Sequence, residues 1–340
     1  MIKSIISGAG HYVPENVVTN DDLAKLMTTN DEWITERTGI KERHHRKNRN
    51  DPKETTAYLG YQASLRALKS AGKTPEDIDY IVFATLSPDY YFPGCGVLLQ
   101  DMLGCDTIGA LDVRNQCSGF VYAMSVANAF IKSGLYKNIL VVGAEVHSFG
   151  LDFSDQGRGV SVIFGDGAGA VVLTASEDAS AGDILSVNMH SEGKHAEELC
   201  TMFPGSKFGW SDRMRLEPDA VTDREIYPIM NGNFVFKHAV TRFPETIAEA
   251  LDTAGKTIQE LDMFIPHQAN LRIAQFVQQK LGLPEDKIFN NIQKYGNTTA
   301  ASIPIALSEA IQQGKIQRGN LVLLSAFGSG FTWGSVLFNY

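Results

Sequence analysis

Three residues in this chain are of types that can carry out acyl chemistry together: Cys117, His267 and Asn297. A cysteine thiolate attacks an acyl carbonyl and holds the acyl group covalently. Histidine changes protonation near neutral pH, and asparagine offers an uncharged amide. The spacing is 150 residues from Cys117 to His267 and 30 from His267 to Asn297. That order falls within the loose pattern of a papain-like hydrolase, where asparagine orients histidine and histidine deprotonates cysteine. The surround does not support it. Cys117 follows Arg114-Asn115-Gln116, lies far from the N-terminus, and lacks the papain-type CGSCW-like context. A hydrolase is therefore a remote alternative, and an inert buried cysteine is the plain one.

Elements of regular structure must hold these side chains. Ile108–Val113 reads as a short buried strand, Arg114–Gly119 as a turn, and Phe120–Lys132 as a helix with Phe120, Met124, Ala127 and Ile131 on one face. A thiol on the first turn of such a helix faces unpaired N–H groups and the positive end of the helix dipole, which lowers its pKa toward neutrality. His267 ends the apolar run Met263-Phe-Ile-Pro266, the kind of strand end where α/β sites gather, and the other seven histidines read as surface or satisfied core residues. Asn297 sits in a glycine turn before a helix over Ile303–Gln313, a usual place for a turn or capping asparagine.

The chain also repeats itself. Ala67–Asp79 and Ala250–Asp262 align without a gap at an offset of 183, sharing the string Ala-Gly-Lys-Thr, and each precedes an apolar strand. Each copy reads as a helix, a C-cap glycine, an acidic turn and a buried strand. Duplication predicts two α/β halves, 1–180 with the cysteine and 181–340 with the histidine and asparagine, whose equivalent strand ends meet at one central site. Residues 160–173 and 321–338 both read as strand, glycine turn, strand. Gly165, Gly167 and Gly169 then belong to a tight hairpin and not to a phosphate loop, which would open a helix.

Composition bounds the rest. The chain has 340 residues, 44% of them hydrophobic, enough for a large core. Its formal charge of −9 speaks against general nucleic-acid binding. No uncharged apolar run reaches the length that spans a membrane. The four cysteines form no CxxC pair, and the first residues read as a strand and glycine turn without the features of a signal peptide, so the expected location is the cytoplasm. Locally the charge reverses: between 37 and 49, Arg37, Lys41, Arg43, Arg46, Lys47 and Arg49 face Glu42 alone. That is a solvated loop or a site for a small phosphorylated ligand, with Trp33 offering a face for an aromatic base.

With these motifs in order, the sequence resembles the thiolase-like condensing enzymes, specifically β-ketoacyl-acyl carrier protein synthase III. The resemblance rests on Asp31–Arg43, Gln116-Cys-Ser-Gly-Phe120, Gly165–Ala170, His267–Arg272, Gly296–Ser302 and Phe327–Gly334. It implies a duplicated thiolase-like αβαβα five-layer fold and a homodimer. It implies an acyltransferase that uses acyl-CoA as substrate, needs no cofactor or metal, and condenses the acyl group with malonyl-acyl carrier protein. Cys117 would be the nucleophile, with the N–H groups of Cys117 and Ser329 as oxyanion hole. His267 and Asn297 would stabilise the enolate left by decarboxylation; two neutral donors suit that step because it removes no proton. Trp33, Arg37 and Arg158 map to CoA-binding positions, Phe92 to an acyl-pocket residue crossing the dimer interface, and Arg272 to carrier-protein docking. Two departures leave the primer open: Gln-Cys-Ser-Gly where many acetyl-primed enzymes have Ala-Cys-Ala-Gly, and a 190–230 segment that looks longer than in those enzymes. An alkylquinolone-type enzyme, a simple acyl-CoA-dependent acyltransferase and a non-catalytic scaffold are the other readings on this fold.

Overall fold

A computed structural model describes residues 2–208 and 223–340; the middle of the 190–230 segment lies outside them. The strands used below are β1 (Lys3–Tyr12), β2 (Tyr80–Ala84), β3 (Gly109–Val113), β4 (Asn138–Glu145), β5 (Gly167–Ser176), β6 (Asp183–Ser191), β7 (Met263–Pro266), β8 (Leu321–Gly328) and β9 (Thr332–Asn339). The helices are α1 (Asp31–Thr38), α2 (Thr56–Ala71), α3 (Cys95–Leu103), α4 (Gly119–Lys132), α5 (Gly232–Thr253), α6 (Leu271–Leu281) and α7 (Ser302–Gln312).

One sheet runs β1-β5-β4-β2-β3 and the other β7-β8-β9-β6. The inner strands are mostly apolar because both faces are covered. In β4, Ile139 to Glu145 are all buried. Three apolar clusters fill the gaps between layers. One joins α2 and α3 to the outer face of the first sheet, one holds α4 and α7 between the sheets, and one packs α5 and α6 on the second sheet. The order is helix, sheet, helix, sheet, helix, the five layers expected. The central layer carries the predicted face of α4: Phe120, Met124, Ala127 and Ile131 have no exposed surface. Truncating Phe120 to alanine there would cost about 3–5 kcal/mol.

The two repeat copies fold alike. Gly72 and Gly255 both take φ of 63°, the left-handed conformation that ends a helix without a Cβ penalty. Each is followed by a capping box, Thr74 with Asp77 and Thr257 with Glu260, which turns the chain into β2 or β7.

Two expectations are corrected. Residues 160–173 are not a hairpin: Arg158–Ser161 is one helical turn, Phe164 makes only an isolated bridge to Asn297, and β5 pairs with β1 and β4 instead. Only 321–338 is strand, turn, strand. The glycines still serve close packing, since a Cβ on Gly169 would meet the Ile305 nitrogen of α7 at 2.6 Å. The strand before Cys117 is also not buried. β3 is the free edge of its sheet, and Leu111 is exposed.

Candidate active site

Parallel strands direct their C-terminal ends to one place. β2 pairs in parallel with β3 and β4, and β7 with β8. The chain leaving β3 makes a tight turn over Gln116–Ser118 before α4, and Cys117 sits in it, one residue ahead of the N-cap Ser118. That turn packs against the end of β8 and against the turn at Thr299–Ala301. Gly328 must be glycine: a Cβ there would lie 2.4 Å from the Cys117 Cβ and 2.9 Å from its sulfur. Ser118 Oγ lies 2.8 Å from Thr332 Oγ1, which donates to the Ser329 carbonyl at 2.9 Å, tying the Cys117 turn to the 328–332 loop.

The main-chain N–H groups of Ser329 and Cys117 both point at the Cys117 sulfur. Burial nevertheless pushes the thiol up to about 12, and the Glu145 carboxylate adds to the rise. The expected depression toward neutrality is therefore corrected. The N–H groups of Ser329 and Cys117 do act on the sulfur, but removal from water is larger.

His267 follows β7 directly, and its N–H donates to the Ser325 carbonyl of β8 at 2.8 Å. Its Nδ1 lies 2.6 Å from Ser302 Oγ, while Nε2 is buried and without a partner. Burial alone pushes the imidazole down to about 3, so the ring is neutral at physiological pH. Asn297 is fixed at three points. Its amide oxygen accepts Thr299 N–H at 2.8 Å, its N–H donates to Ile163 and its carbonyl accepts Gly165 N–H. This anchoring leaves the Nδ2 donors as the free end. Among the described residues only Gln116 and Thr299 combine a side chain with positive φ, 44° and 51°, and they neighbour Cys117 and the Asn297 amide. For a β-branched threonine that conformation is strained.

Asparagine does not orient histidine here, as a papain-like arrangement requires; Ser302 holds the ring. Nor do the charges suit that chemistry. A thiol pushed up and an imidazole pushed down disfavour the thiolate–imidazolium pair.

Glu145, at the end of β4, was not singled out by its residue type. It is fully buried and accepts from Thr85 Oγ1 (3.1 Å), Leu86 N–H (3.2 Å), Ser87 N–H (3.2 Å), Ser87 Oγ (2.5 Å) and Ala300 N–H. Burial pushes it up to about 7 in spite of these donors. A lone acidic residue closing the apolar run 139–144 was the available signal. The histidine expectation also fails in part: Nε2 of His44 and of His147 are buried without partners, and burial pushes His147 down to about 4.

The second group of predicted residues gathers at α1. Asn30 caps the helix by accepting Trp33 N–H, and the guanidinium groups of Arg37 and Arg158 lie 4.5 and 4.9 Å from the Trp33 ring centre. Asn270 Nδ2 donates to the Arg37 carbonyl, bringing exposed Arg272, at the start of α6, to the same rim. Arg43 departs from the basic-loop reading. It is fully buried and donates to the carbonyls of Val18 and Val162 and to Asn20, an internal brace. Phe92 is not brought to Cys117 within the chain. It is 81% exposed, beside Tyr90 and Tyr91, in the loop between β2 and α3 on the side of the free β3 edge.

Comparison with known proteins places this geometry. Family profiles for 3-oxoacyl-[acyl-carrier-protein (ACP)] synthase III match residues 111–193, and for its C-terminal part residues 251–340. The beta-ketoacyl-[acyl-carrier-protein] synthase III of Aquifex aeolicus (strain VF5) is 47% identical over 335 residues, 98% of this chain and 99% of that protein. The chain belongs to the 3-oxoacyl-[acyl-carrier-protein] synthase III family. The relative so named in Xanthomonas campestris pv. campestris is 46% identical over 339 residues, 100% of this chain and 99% of its own. The crystal structure of the Aquifex protein superposes with a TM-score of 0.88 over 99% of this chain and 100% of that one. The priming β-ketosynthase of the R1128 polyketide pathway, at 32% identity, also reaches 0.88, covering 99% and 96%. Xanthomonas campestris OleA, at 19% identity, shares the fold. The five layers are thus those of the thiolase-like fold of this family.

Proposed function

We propose that this member of the synthase III family moves an acyl group from acyl-CoA to Cys117 and joins it to malonyl-acyl carrier protein with loss of CO2. The observation that carries the reading is the pair of uncharged donors, the His267 ring and the Asn297 amide, on strand and turn ends that converge on a buried thiol. Cys117 sulfur attacks the thioester carbonyl, the N–H groups of Cys117 and Ser329 hold the oxyanion, and the thiol proton leaves on CoA. Each such donor is typically worth ~3–4 kcal/mol. The malonyl carboxylate then departs as CO2, and negative charge collects on the thioester oxygen. His267 and Asn297 donate to that oxygen. The enolate carbon attacks the acyl-Cys117 carbonyl, the carbon–sulfur bond breaks, and the sulfur regains a proton from solvent. One proton is consumed for each CO2 released.

Trp33, Arg37 and Arg158 are the proposed CoA residues, because stacked guanidinium and indole groups suit an adenine and its phosphates. Arg272 on the same rim suits an acidic carrier protein. Exposed Phe92, Tyr90, Tyr91 and Leu111 along the unpaired β3 edge suit a second copy of the chain, which would close the edge and receive Phe92 in its acyl pocket. We also propose the division into halves 1–180 and 181–340, supported by one sheet drawing on residues 3–176 and the other on 183–339. A cytoplasmic location fits four free cysteines; no described helix is long and apolar enough to cross a membrane.

Intact-protein mass spectrometry tests the reading. The enzyme is incubated with acetyl-, octanoyl- or anthraniloyl-CoA and chased with malonyl carrier protein. A mass gain on Cys117 that the chase removes, with a 3-oxoacyl carrier product, is the expected result and names the primer. An adduct that the chase leaves in place would replace the condensing reaction with simple acyl transfer. No adduct with any primer would overturn the reading.

A further inference from the structure

His267 has two ring nitrogens, and its use depends on which one carries the proton. With the proton on Nε2 the ring donates toward the site; with it on Nδ1 the ring presents a lone pair there and acts as a base or acceptor. The residue touching Nδ1 is Ser302, the first residue of α7, only 2% exposed. Its hydroxyl oxygen receives the N–H of Gln268 at 3.3 Å. Its single proton then needs an acceptor, and among the described residues the group in reach is His267 Nδ1 at 2.6 Å. Were Nδ1 protonated instead, two donors would converge on the Ser302 oxygen and the buried hydroxyl proton would lack a partner.

We propose that Ser302 is a positioning residue that donates to His267 Nδ1, holds the proton on Nε2, and so makes the histidine a hydrogen-bond donor to the enolate oxygen and not a base. Ser302 never touches substrate. It acts through the ring, and the inference rests on reading His267 as an enolate donor. The placement has a local cause. The turn from Asn297 to Ala301 delivers both the Asn297 amide and the start of α7, so one short segment sets both donors of the decarboxylation step.

The test begins with the resting enzyme labelled with 15N-histidine. Long-range 15N–1H spectra at pH 7 distinguish the tautomers, and His267→Asn identifies the signal among eight histidines. Wild-type protein is expected to show a neutral ring with hydrogen on Nε2. A proton on Nδ1 would overturn the proposal whether or not any variant folds. Ser302→Ala is expected to shift the ring toward a tautomer mixture and slow malonyl decarboxylation roughly tenfold or more, with Cys117 self-acylation within about threefold of wild type. Ser302→Thr, which keeps the hydroxyl, is expected to restore both. Equal loss of self-acylation and decarboxylation in Ser302→Ala, with the Nε2 tautomer unchanged, would mean a packing role only and refute the proposal. If instead His267→Ala decarboxylates normally while the tautomer is as described, the donor assignment of His267 fails and the tautomer lock stands.

Discussion

The resting state of Cys117 decides how this site begins its chemistry, and alkylation kinetics read it directly. Burial pushes the thiol up to about 12, against about 9 for an ordinary one. At pH 8 an unshifted thiol is about one-tenth thiolate, whereas Cys117 would be about one part in ten thousand, a drop of roughly 900-fold. Nucleophilicity partly compensates. With a Brønsted slope of about 0.4–0.5, three pH units of added basicity make the thiolate some 15–30 times more reactive. The net expectation is reaction with iodoacetamide roughly 30–60 times slower than a free model thiol at pH 8. The rate should rise tenfold per pH unit from 8 to 10, where Glu145 is already ionised, without levelling. The assay follows carbamidomethylation of the Cys117 peptide by mass spectrometry in acyl-free enzyme, with N-acetylcysteine in the same tube as reference. A rate that levels off below pH 8 would refute the reasoning. It would mean that the N–H groups of Ser329 and Cys117 and the adjoining helix outweigh desolvation, and that a thiolate stands ready before substrate arrives.

Two further outcomes follow from other parts of the structure. Trp33→Ala removes the face on which Arg37 and Arg158 stack, and a cation–π contact of about 0.5–2 kcal/mol implies a KM for acyl-CoA raised roughly 2- to 30-fold; an unchanged KM in steady-state kinetics would return this rim to ordinary surface. Acid should destabilise the fold from about pH 6.5 downward. His147 (about 4) and His267 (about 3) are held below the value of an unfolded histidine, so the unfolded chain binds more protons there and their stabilisation, full above pH 6.5, is lost as pH falls. By pH 4 each loses about 3 kcal/mol, while Glu145, raised to about 7, returns about 3 kcal/mol as it protonates. A net loss of about 3 kcal/mol between pH 7 and 4 should appear in denaturant midpoints, and His147→Phe should remove about half of the histidine contribution; an unaltered slope in that variant would show the imidazole is not the cause.

What the sequence made legible was periodic or repeated. The α4 face, the two Ala-Gly-Lys-Thr caps and the strands ending at Ala84 and Pro266 follow from spacing and turn chemistry, so those elements were found nearly to the residue. What it concealed depends on neighbours distant in the chain. Whether Ile108–Val113 is central or an edge is decided by which strands pair beside it, and an apolar run reads the same either way. Residues 160–164 are apolar because they pack beneath α1 and beside Asn297, an environment that mimics a buried strand in composition. The thiol was misjudged for a related reason. Its position before a helix is local and visible, but the close packing of Gly328, more than two hundred residues away, helps bury the sulfur, and that burial outweighs the local effect. Ser302 and Glu145 escaped notice because a serine at a helix start and an acidic residue at a strand end are each commonplace. Only the fold shows that one holds His267 and the other joins the 85–87 loop to Ala300.

These electrostatic settings argue for the order of events. A site built to abstract a proton needs a base with a pKa near the working pH, and His267, pushed far below it, is a poor one. The same burial that weakens it as a base strengthens it as a donor, because a hydrogen bond to a developing anion gains as water is excluded. Decarboxylation asks for that and no more: the carboxylate supplies the electrons, and charge must be held on one oxygen while CO2 leaves. The thiol poses the opposite problem. In the proposed reaction it must lose its proton in a site that disfavours charge, so its attack would be concerted with arrival of an acyl group whose oxyanion would meet the N–H groups of Cys117 and Ser329. A nucleophile that is quiet without its thioester also spares the enzyme from alkylation and oxidation between turnovers. Glu145 sets the limit of this arrangement. Raised to about 7, it changes charge within the physiological range beside the sulfur, and each step toward its ionised form makes the thiolate harder to form.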